Sequence, residues 1–66
     1  MELNVNGQRK EVPDGLTISG LLKLLAIDVR AVAVERNRVI VPRSEHSAAK
    51  LNEGDSIEIV TFVQGG

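Results

Sequence analysis

The architecture of this chain follows from one segment, Thr17-Ile18-Ser19-Gly20-Leu21-Leu22-Lys23-Leu24-Leu25. Its apolar residues recur at i, i+3, i+4 and i+7, the spacing of one helical face, and Thr17 is placed as the N-cap. Without this stripe the chain has too few apolar residues to fold, so we predict a core helix packed across one face of a sheet. Gly20 either weakens the helix, by up to about 1 kcal/mol relative to Ala, or marks close packing against the sheet.

The sheet is predicted from two hairpins. Before the helix, residues 2–6 alternate polar and apolar, Asn6-Gly7 is a strong two-residue turn signal, and residues 8–12 can return as the second strand. After it, residues 31–35 and 39–41 are β-branched runs around Asn37, which adopts left-handed turns readily. Both pairs of runs therefore read as antiparallel strands.

A polar loop and one more strand complete the chain. Pro42 ends the fourth strand, residues 43–52 form a loop with about one helical turn, and Gly54-Asp55 turns into the last strand. The order strand, strand, helix, strand, strand, loop, strand predicts an α+β roll.

The last strand has apolar residues on both faces. If Ile57 and Ile59 face the helix, Val60 and Phe62 face away from it and should be exposed. A bulge or a covering loop would hide them, whereas a contact patch would leave them open. The pattern alone leaves both interpretations standing.

Composition excludes several classes of function. The 66 residues make one domain that buries only about 60% of its unfolded surface. With no Cys and one His, we expect neither a disulfide nor a metal site.

The balance of 8 basic and 9 acidic residues, with one aromatic residue, argues against nucleic acid as a partner. No signal segment and no run of about 20 apolar residues is present, so we expect a soluble, cytoplasmic protein without a membrane partner.

His46 lies near two serines, Ser44 and Ser47, and invites comparison with a hydrolytic site. The loop has no nucleophile elbow, so we interpret His46 as a solvated loop histidine. The glycines form neither a P-loop nor a G-x-G-x-x-G run, and we expect no nucleotide or other cofactor on this chain.

Other charged residues are interpreted as structural. Arg36, Arg38 and Arg43 are expected to be solvated, with contact to an acidic partner patch as the alternative. Asp28 and Glu53 are expected in turns.

Short motifs lie along the whole chain. They are Val5-Asn6-Gly7, Glu11-Val12-Pro13, Leu16-Thr17-Ile18, Leu21-Leu22, Val32-Ala33-Val34, Ile40-Val41-Pro42-Arg43, Leu51, Glu53-Gly54-Asp55, Ile59-Val60 and the final Gly65-Gly66. Their order and spacing resemble the thiazole-pathway sulfur carriers, the ThiS family of ubiquitin-like β-grasp proteins. The chain departs from that family at His46, where an aromatic residue is frequent, and at Gln64, where glycine is frequent.

The resemblance implies a ubiquitin-like β-grasp fold, a mixed sheet of four to five strands with one main helix across one face and the last strand beside the first. It divides the chain into a β-grasp domain, residues 1–62, and a flexible C-terminal Gly-Gly tail, residues 63–66.

The resemblance also implies a function in thiamin biosynthesis. A ubiquitin-activating-type adenylyltransferase (ThiF-like) would adenylate the Gly66 carboxylate with ATP, and sulfur relayed from cysteine would convert it to a thiocarboxylate. Thiazole synthase (ThiG-like) would then take the sulfur. The chain would be a macromolecular cosubstrate with no catalytic residue of its own.

The tail residues Val63, Gln64 and Gly65 would enter partner active sites with Gly66. A side chain on either glycine would widen this segment and crowd attack at the acyl carbon. Four extended residues reach about 13 Å, enough to enter a buried nucleotide pocket. We expect Val60 and Phe62, beside the tail, to dock the domain on both enzymes.

Three alternatives remain at this point. A molybdopterin-synthase-type sulfur carrier would use the same Gly-Gly chemistry, although the short chain and Val41-Pro42-Arg43 favour the thiazole pathway. A non-catalytic β-grasp binding module would have an inert C-terminus. A protein-conjugating modifier would form isopeptide bonds instead of a thiocarboxylate.

Overall fold

The computed structural model describes residues 1–62, which form a five-stranded mixed sheet and one α-helix. The elements are β1 (Glu2–Val5), β2 (Gln8–Glu11), α1 (Ile18–Leu24), β3 (Val32–Arg36), β4 (Val39–Ile40) and β5 (Ser56–Thr61), with 3-10 turns at Val29–Ala31 and Arg43–Glu45. The predicted fold class and order of elements are confirmed.

The last strand lies at the centre of the sheet. The strand order is β2-β1-β5-β3-β4, with β1 and β5 parallel and all other neighbours antiparallel. Val5 lies opposite Ile57, and Val34 lies opposite Ile59. Because β5 has a neighbour on both sides, its position depends on the whole fold.

Both hairpins turn through two left-handed residues. Asn6 and Gly7 have φ of 50° and 81°, and Asn37 and Arg38 have φ of 50° and 71°. Two positive φ values match the right-handed twist of the flanking strands. The contribution of Arg38 was not predicted, since an arginine is uncommon in this conformation.

The helix begins as predicted, with Thr17 Oγ1 accepting a hydrogen bond from the Gly20 N–H at 3.0 Å. Its stripe is buried against the inner sheet face, and Leu25 at its end is partly buried. The core consists of Leu3, Val5, Val12, Ile18, Leu21, Leu22, Val32, Val34, Leu51, Ile57 and Ile59. Within residues 1–62, no helix is long and apolar enough to cross a membrane.

Gly20 lies close to the side chain of Leu16. A Cβ at this position would lie 2.7 Å from Leu16 Cδ1. The nearest neighbours of Gly20 are therefore Leu16 and Thr17, at the start of the helix itself.

The interpretation of His46 as a solvated loop residue is also wrong. His46 is only 3% exposed, and its Nε2 lies 3.0 Å from the Val41 carbonyl oxygen. Its own carbonyl accepts a hydrogen bond from the Ser19 N–H at 3.0 Å, and the Ala49 carbonyl accepts one from the Ile18 N–H at 3.1 Å. The loop after β4 must pass the start of α1 to bring β5 to the centre, and this route buries the imidazole.

Candidate functional site

The exposed end of β5 is where the predicted docking residues lie. Val60 is 52% exposed and Phe62 46% exposed, while Ile57 and Ile59 are buried on the opposite face. Exposed and buried residues alternate from Ser56 to Val60, whereas Thr61 at the end of the strand is exposed. Val60 lies opposite Ala33. The prediction that Val60 and Phe62 are exposed is confirmed, and within residues 1–62 neither a bulge nor a covering loop hides them.

Phe62 forms one wall of a groove at this end of the sheet. Its N–H donates to the Ala31 carbonyl at 2.9 Å, which continues the ladder between β5 and β3. The groove has a volume of about 200 Å³. Its lining comprises Val32, Ala33, Val34, Ile40, Val41, Pro42, Arg43, His46 and Phe62. It is therefore a mainly apolar concavity beside the last residue described.

The predicted tail, Val63, Gln64, Gly65 and Gly66, lies outside the described residues. The structure describes the strand that leads to it and the surroundings of that strand.

An asparagine side chain extends the pairing of β5 beyond the end of β1. Asn6 Oδ1 accepts from the Ile59 N–H at 2.7 Å, and Asn6 Nδ2 donates to the Ile59 carbonyl at 3.1 Å. The Asn6 main-chain N–H also donates to the Ile57 carbonyl at 2.9 Å. Asn6 thus belongs to the first turn and also pairs with the strand that leads to the predicted docking residues.

The start of β5 is held by a buried carboxylate. Asp55 Oδ2 accepts from Arg36 Nε at 2.9 Å and from the Asn52 N–H at 2.8 Å. Asp55 Oδ1 accepts from Asn37 Nδ2 at 3.1 Å, and Asn37 Oδ1 accepts from the Ser56 N–H at 2.9 Å. Burial raises the pKa of Asp55, but these hydrogen bonds and the Arg36 charge outweigh it and hold the pKa below its ordinary value.

The three arginines that were expected to be solvated, Arg36, Arg38 and Arg43, differ in their exposure to solvent. Arg36 is largely buried in its ion pair with Asp55, so its interpretation as a solvated residue is wrong. Arg38 and Arg43 are exposed, as expected.

The two acidic turn residues are as expected. Asp28 caps the first 3-10 turn, where it accepts from the Arg30 N–H at 2.9 Å. Glu53 accepts from the Glu2 N–H at 2.9 Å. Within residues 1–62, no three His, Cys, Asp or Glu side chains lie close enough together to hold a metal ion.

A family model described as the ThiS family matches residues 2–66. The chain belongs to the ThiS family. This confirms the resemblance to the ubiquitin-like sulfur carriers that the motifs predicted.

One solved structure and one sequence relative support the family, and the structure also supports the fold. A crystal structure of thiamine biosynthesis protein ThiS from Geobacter metallireducens is similar over the full length of both chains, with a TM-score of 0.88 and 32% identity. Sulfur carrier protein ThiS of Bacillus subtilis is 38% identical over 65 residues, which cover 97% of this chain and 98% of that protein.

Two relatives are much longer than this ThiS-family chain. A thiazole synthase of Paramagnetospirillum magneticum is 44% identical over 66 residues, and one of Magnetococcus marinus is 41% identical over 66 residues. In each case the match covers all of this chain and 20% of the relative. The chain therefore spans about a fifth of the length of these relatives.

Sequence reasoning missed three contributors to this region of the ThiS-family chain, namely the Asn6 side chain, the Arg36–Asp55 pair and buried His46. Asn6 carried only a local turn signal, since an Asn before Gly marks a hairpin turn, whereas its side-chain partner Ile59 lies 53 residues further along the chain. Arg36 and Asp55 are 19 residues apart and carry no local signal of contact.

Proposed function

We propose that this chain carries sulfur for thiamin biosynthesis as a thiocarboxylate on Gly66. The observation that carries the proposal is the ThiS family match over residues 2–66, which reaches the final Gly65-Gly66 pair. The end-to-end similarity to a Bacillus subtilis protein named as a sulfur carrier supports it.

The chemistry requires activation, because a resting carboxylate is a poor electrophile. A partner adenylyltransferase uses ATP to form the acyl-adenylate of Gly66 and releases pyrophosphate. Hydrosulfide released from cysteine attacks the acyl carbon, the new C–S bond replaces the C–O bond to AMP, AMP leaves, and a thiocarboxylate remains with no change of oxidation state. This chain supplies the acyl group and acts as a cosubstrate of the enzymes that hold the catalytic residues.

The division of the chain follows from that role. Residues 1–62 form the body that partners recognise, and residues 63–66 form the flexible tail that enters their active sites. Glycine at positions 65 and 66 keeps the tail narrow and free to take conformations that other residues adopt at a cost.

Thiazole synthase is the proposed acceptor of the sulfur. Two relatives that contain a segment similar to this chain are themselves named thiazole synthase. Joining a carrier to its acceptor in one polypeptide raises their effective concentration, which favours transfer between them. The same pairing between separate chains requires a docking surface.

Val60, Phe62 and the groove beside Phe62 are the proposed docking surface. They combine exposed apolar area with a concavity, and aromatic residues in such positions contribute strongly to binding. They also lie next to the point where residues 63–66 begin, so a partner docked here reaches the tail.

Deletion of Gly66 tests the proposal. The protein is incubated with the adenylyltransferase, ATP and a sulfur donor, and intact-protein mass spectrometry measures replacement of oxygen by sulfur. We expect full conversion of the native chain and none of the deletion variant, because the acyl group is displaced from the reacting atoms.

Gln64→Gly is the matched control, since it changes the tail without touching the last two residues. It should be converted like the native chain. Conversion of the deletion variant at the native rate would refute the assignment of Gly66.

A further inference from the structure

Two asparagines occupy equivalent places in the two hairpins. Asn6 and Asn37 are each the first left-handed residue of their turn, with the same φ of 50°, and both are exposed. Each side chain accepts a hydrogen bond from a main-chain N–H of β5. Asn37 binds Ser56, at the start of that strand, whereas Asn6 binds Ile59, in its second half. The two asparagines therefore hold opposite ends of β5.

The main-chain pairing of β5 with β1 ends early. Its register places Asn4 opposite Ser56 and Val5 opposite Ile57. Beyond that point the Asn6 carboxamide both accepts from and donates to the main chain of Ile59, at 2.7 Å and 3.1 Å, as a main-chain partner would. Within residues 1–62, Ile59 is the last residue of β5 that is hydrogen-bonded from the side of β1.

The next residues of the chain are the proposed docking residues, and β3 alone pairs with them. Val60 lies opposite Ala33, and the Phe62 N–H donates to the Ala31 carbonyl at 2.9 Å. The end of a strand opens more readily where few hydrogen bonds and few buried contacts hold it. The Asn6 side chain therefore determines where support of β5 from both sides stops.

We infer that Asn6 is a positioning residue for the carrier reaction. By holding Ile59, it keeps Val60 and Phe62 in the arrangement that the adenylyltransferase binds before Gly66 reacts. The inference rests on the proposed function and adds a residue that acts through β5. A segment that is ordered before binding loses less conformational freedom when the complex forms, so Asn6 should improve binding of the carrier without taking part in the chemistry.

The test compares Asn6→Gly with Asn37→Gly. Glycine takes a positive φ without steric cost, so each variant keeps its turn and loses only side-chain hydrogen bonds. Asn37 is a stringent control, because its side chain also donates to Asp55 Oδ1. Circular dichroism identifies a temperature at which both variants are folded, and urea denaturation measures their free energies of unfolding.

At that temperature each chain is incubated with the adenylyltransferase, ATP and a sulfur donor. The initial rate of sulfur gain, followed by intact-protein mass spectrometry over a range of carrier concentrations, gives KM and kcat. For Asn6→Gly we expect KM to rise about fivefold and kcat to stay within about twofold of the native value. For Asn37→Gly we expect both constants within about twofold of native, although its stability falls at least as much.

Amide hydrogen exchange supplies an independent measurement on the free chain. The Phe62 amide should exchange faster in Asn6→Gly than in Asn37→Gly, because only the first variant loses the support next to the docking residues. Equal exchange in the two variants would contradict a local role for Asn6.

Two further results would overturn the inference. One is a native KM for Asn6→Gly, and the other is a rise of KM in both variants in proportion to their loss of stability. In either case, sulfur gain by the native chain would leave the proposed function standing. If the native chain itself gains no sulfur, the proposed function fails and the inference fails with it.

Discussion

The two ends of β5 contrast sharply. At its start, the buried Asp55 carboxylate joins Arg36, Asn37 and the Asn52 backbone, and Ile57 next to it is fully buried. At its other end, about half of the Val60 and Phe62 surface is open to solvent. One strand thus anchors the fold at one end and presents apolar surface at the other, so substitutions should affect stability at the start and binding at the end.

The largest expected effect is on the free energy of unfolding, because the start of β5 is buried and its other end is exposed. Ile57→Ala should lower the free energy of unfolding by about 2–5 kcal/mol, because it leaves a cavity in the core. Val60→Ala, in the same strand, should change it by less than about 1 kcal/mol. Urea denaturation of both variants measures the difference, and equal destabilisation would show that the contrast between the ends is false.

A second prediction concerns the anchoring carboxylate. Asp55→Asn should lower the free energy of unfolding at pH 7 by about 1–3 kcal/mol, since it weakens a buried ion pair and a backbone hydrogen bond. Chemical denaturation at neutral pH measures the loss.

The same variant has a predicted pH dependence. Because the pKa of Asp55 is lowered in the folded state, its contribution to stability is complete above the unfolded value of about 3.9. That contribution is lost as the pH falls through the folded value. Asp55→Asn should therefore lose less stability than the native chain below about pH 4. Exposed Glu45→Gln serves as the control, and an identical acid profile of the Asp55 variant and the native chain would contradict the assignment.

At the exposed end of β5, we expect a substitution to have the smallest effect on stability but a clear effect on binding to partners. Phe62→Ser should weaken binding to the adenylyltransferase and to thiazole synthase about tenfold, through loss of apolar contact area. Val39→Ser is the matched control, because Val39 is 66% exposed but lies on β4 at the sheet edge. Unchanged affinity of the Phe62 variant for both enzymes would remove Phe62 from the interface.

Local signals predicted much of the fold. The N-cap at Thr17, the buried helical stripe and the turn at Asn6-Gly7 all agree with the structure, because each depends on residues within a few positions. The outward direction of Val60 and Phe62 followed from the two-residue period of a strand in the same way. The motifs along the whole chain, Gly65-Gly66 among them, predicted the ThiS family through their order and spacing.

Contacts between distant residues could not be predicted in this way. His46 is polar and lies among serines, which made a solvated loop reasonable until the path of the loop past α1 was known. The Asn6 side chain meets Ile59 53 residues further along. Nothing in the local sequence of either residue encodes such a partner.

The residue pattern by itself therefore established one amphipathic helix, two hairpins, an alternating last strand and a Gly-Gly end. The placement of that strand between β1 and β3, the burial of His46 and Asp55, and the pairing of Asn6 with Ile59 were determined only when the chain folded. Periodicity and turn chemistry act over a few residues, whereas register and burial depend on which distant segments become neighbours.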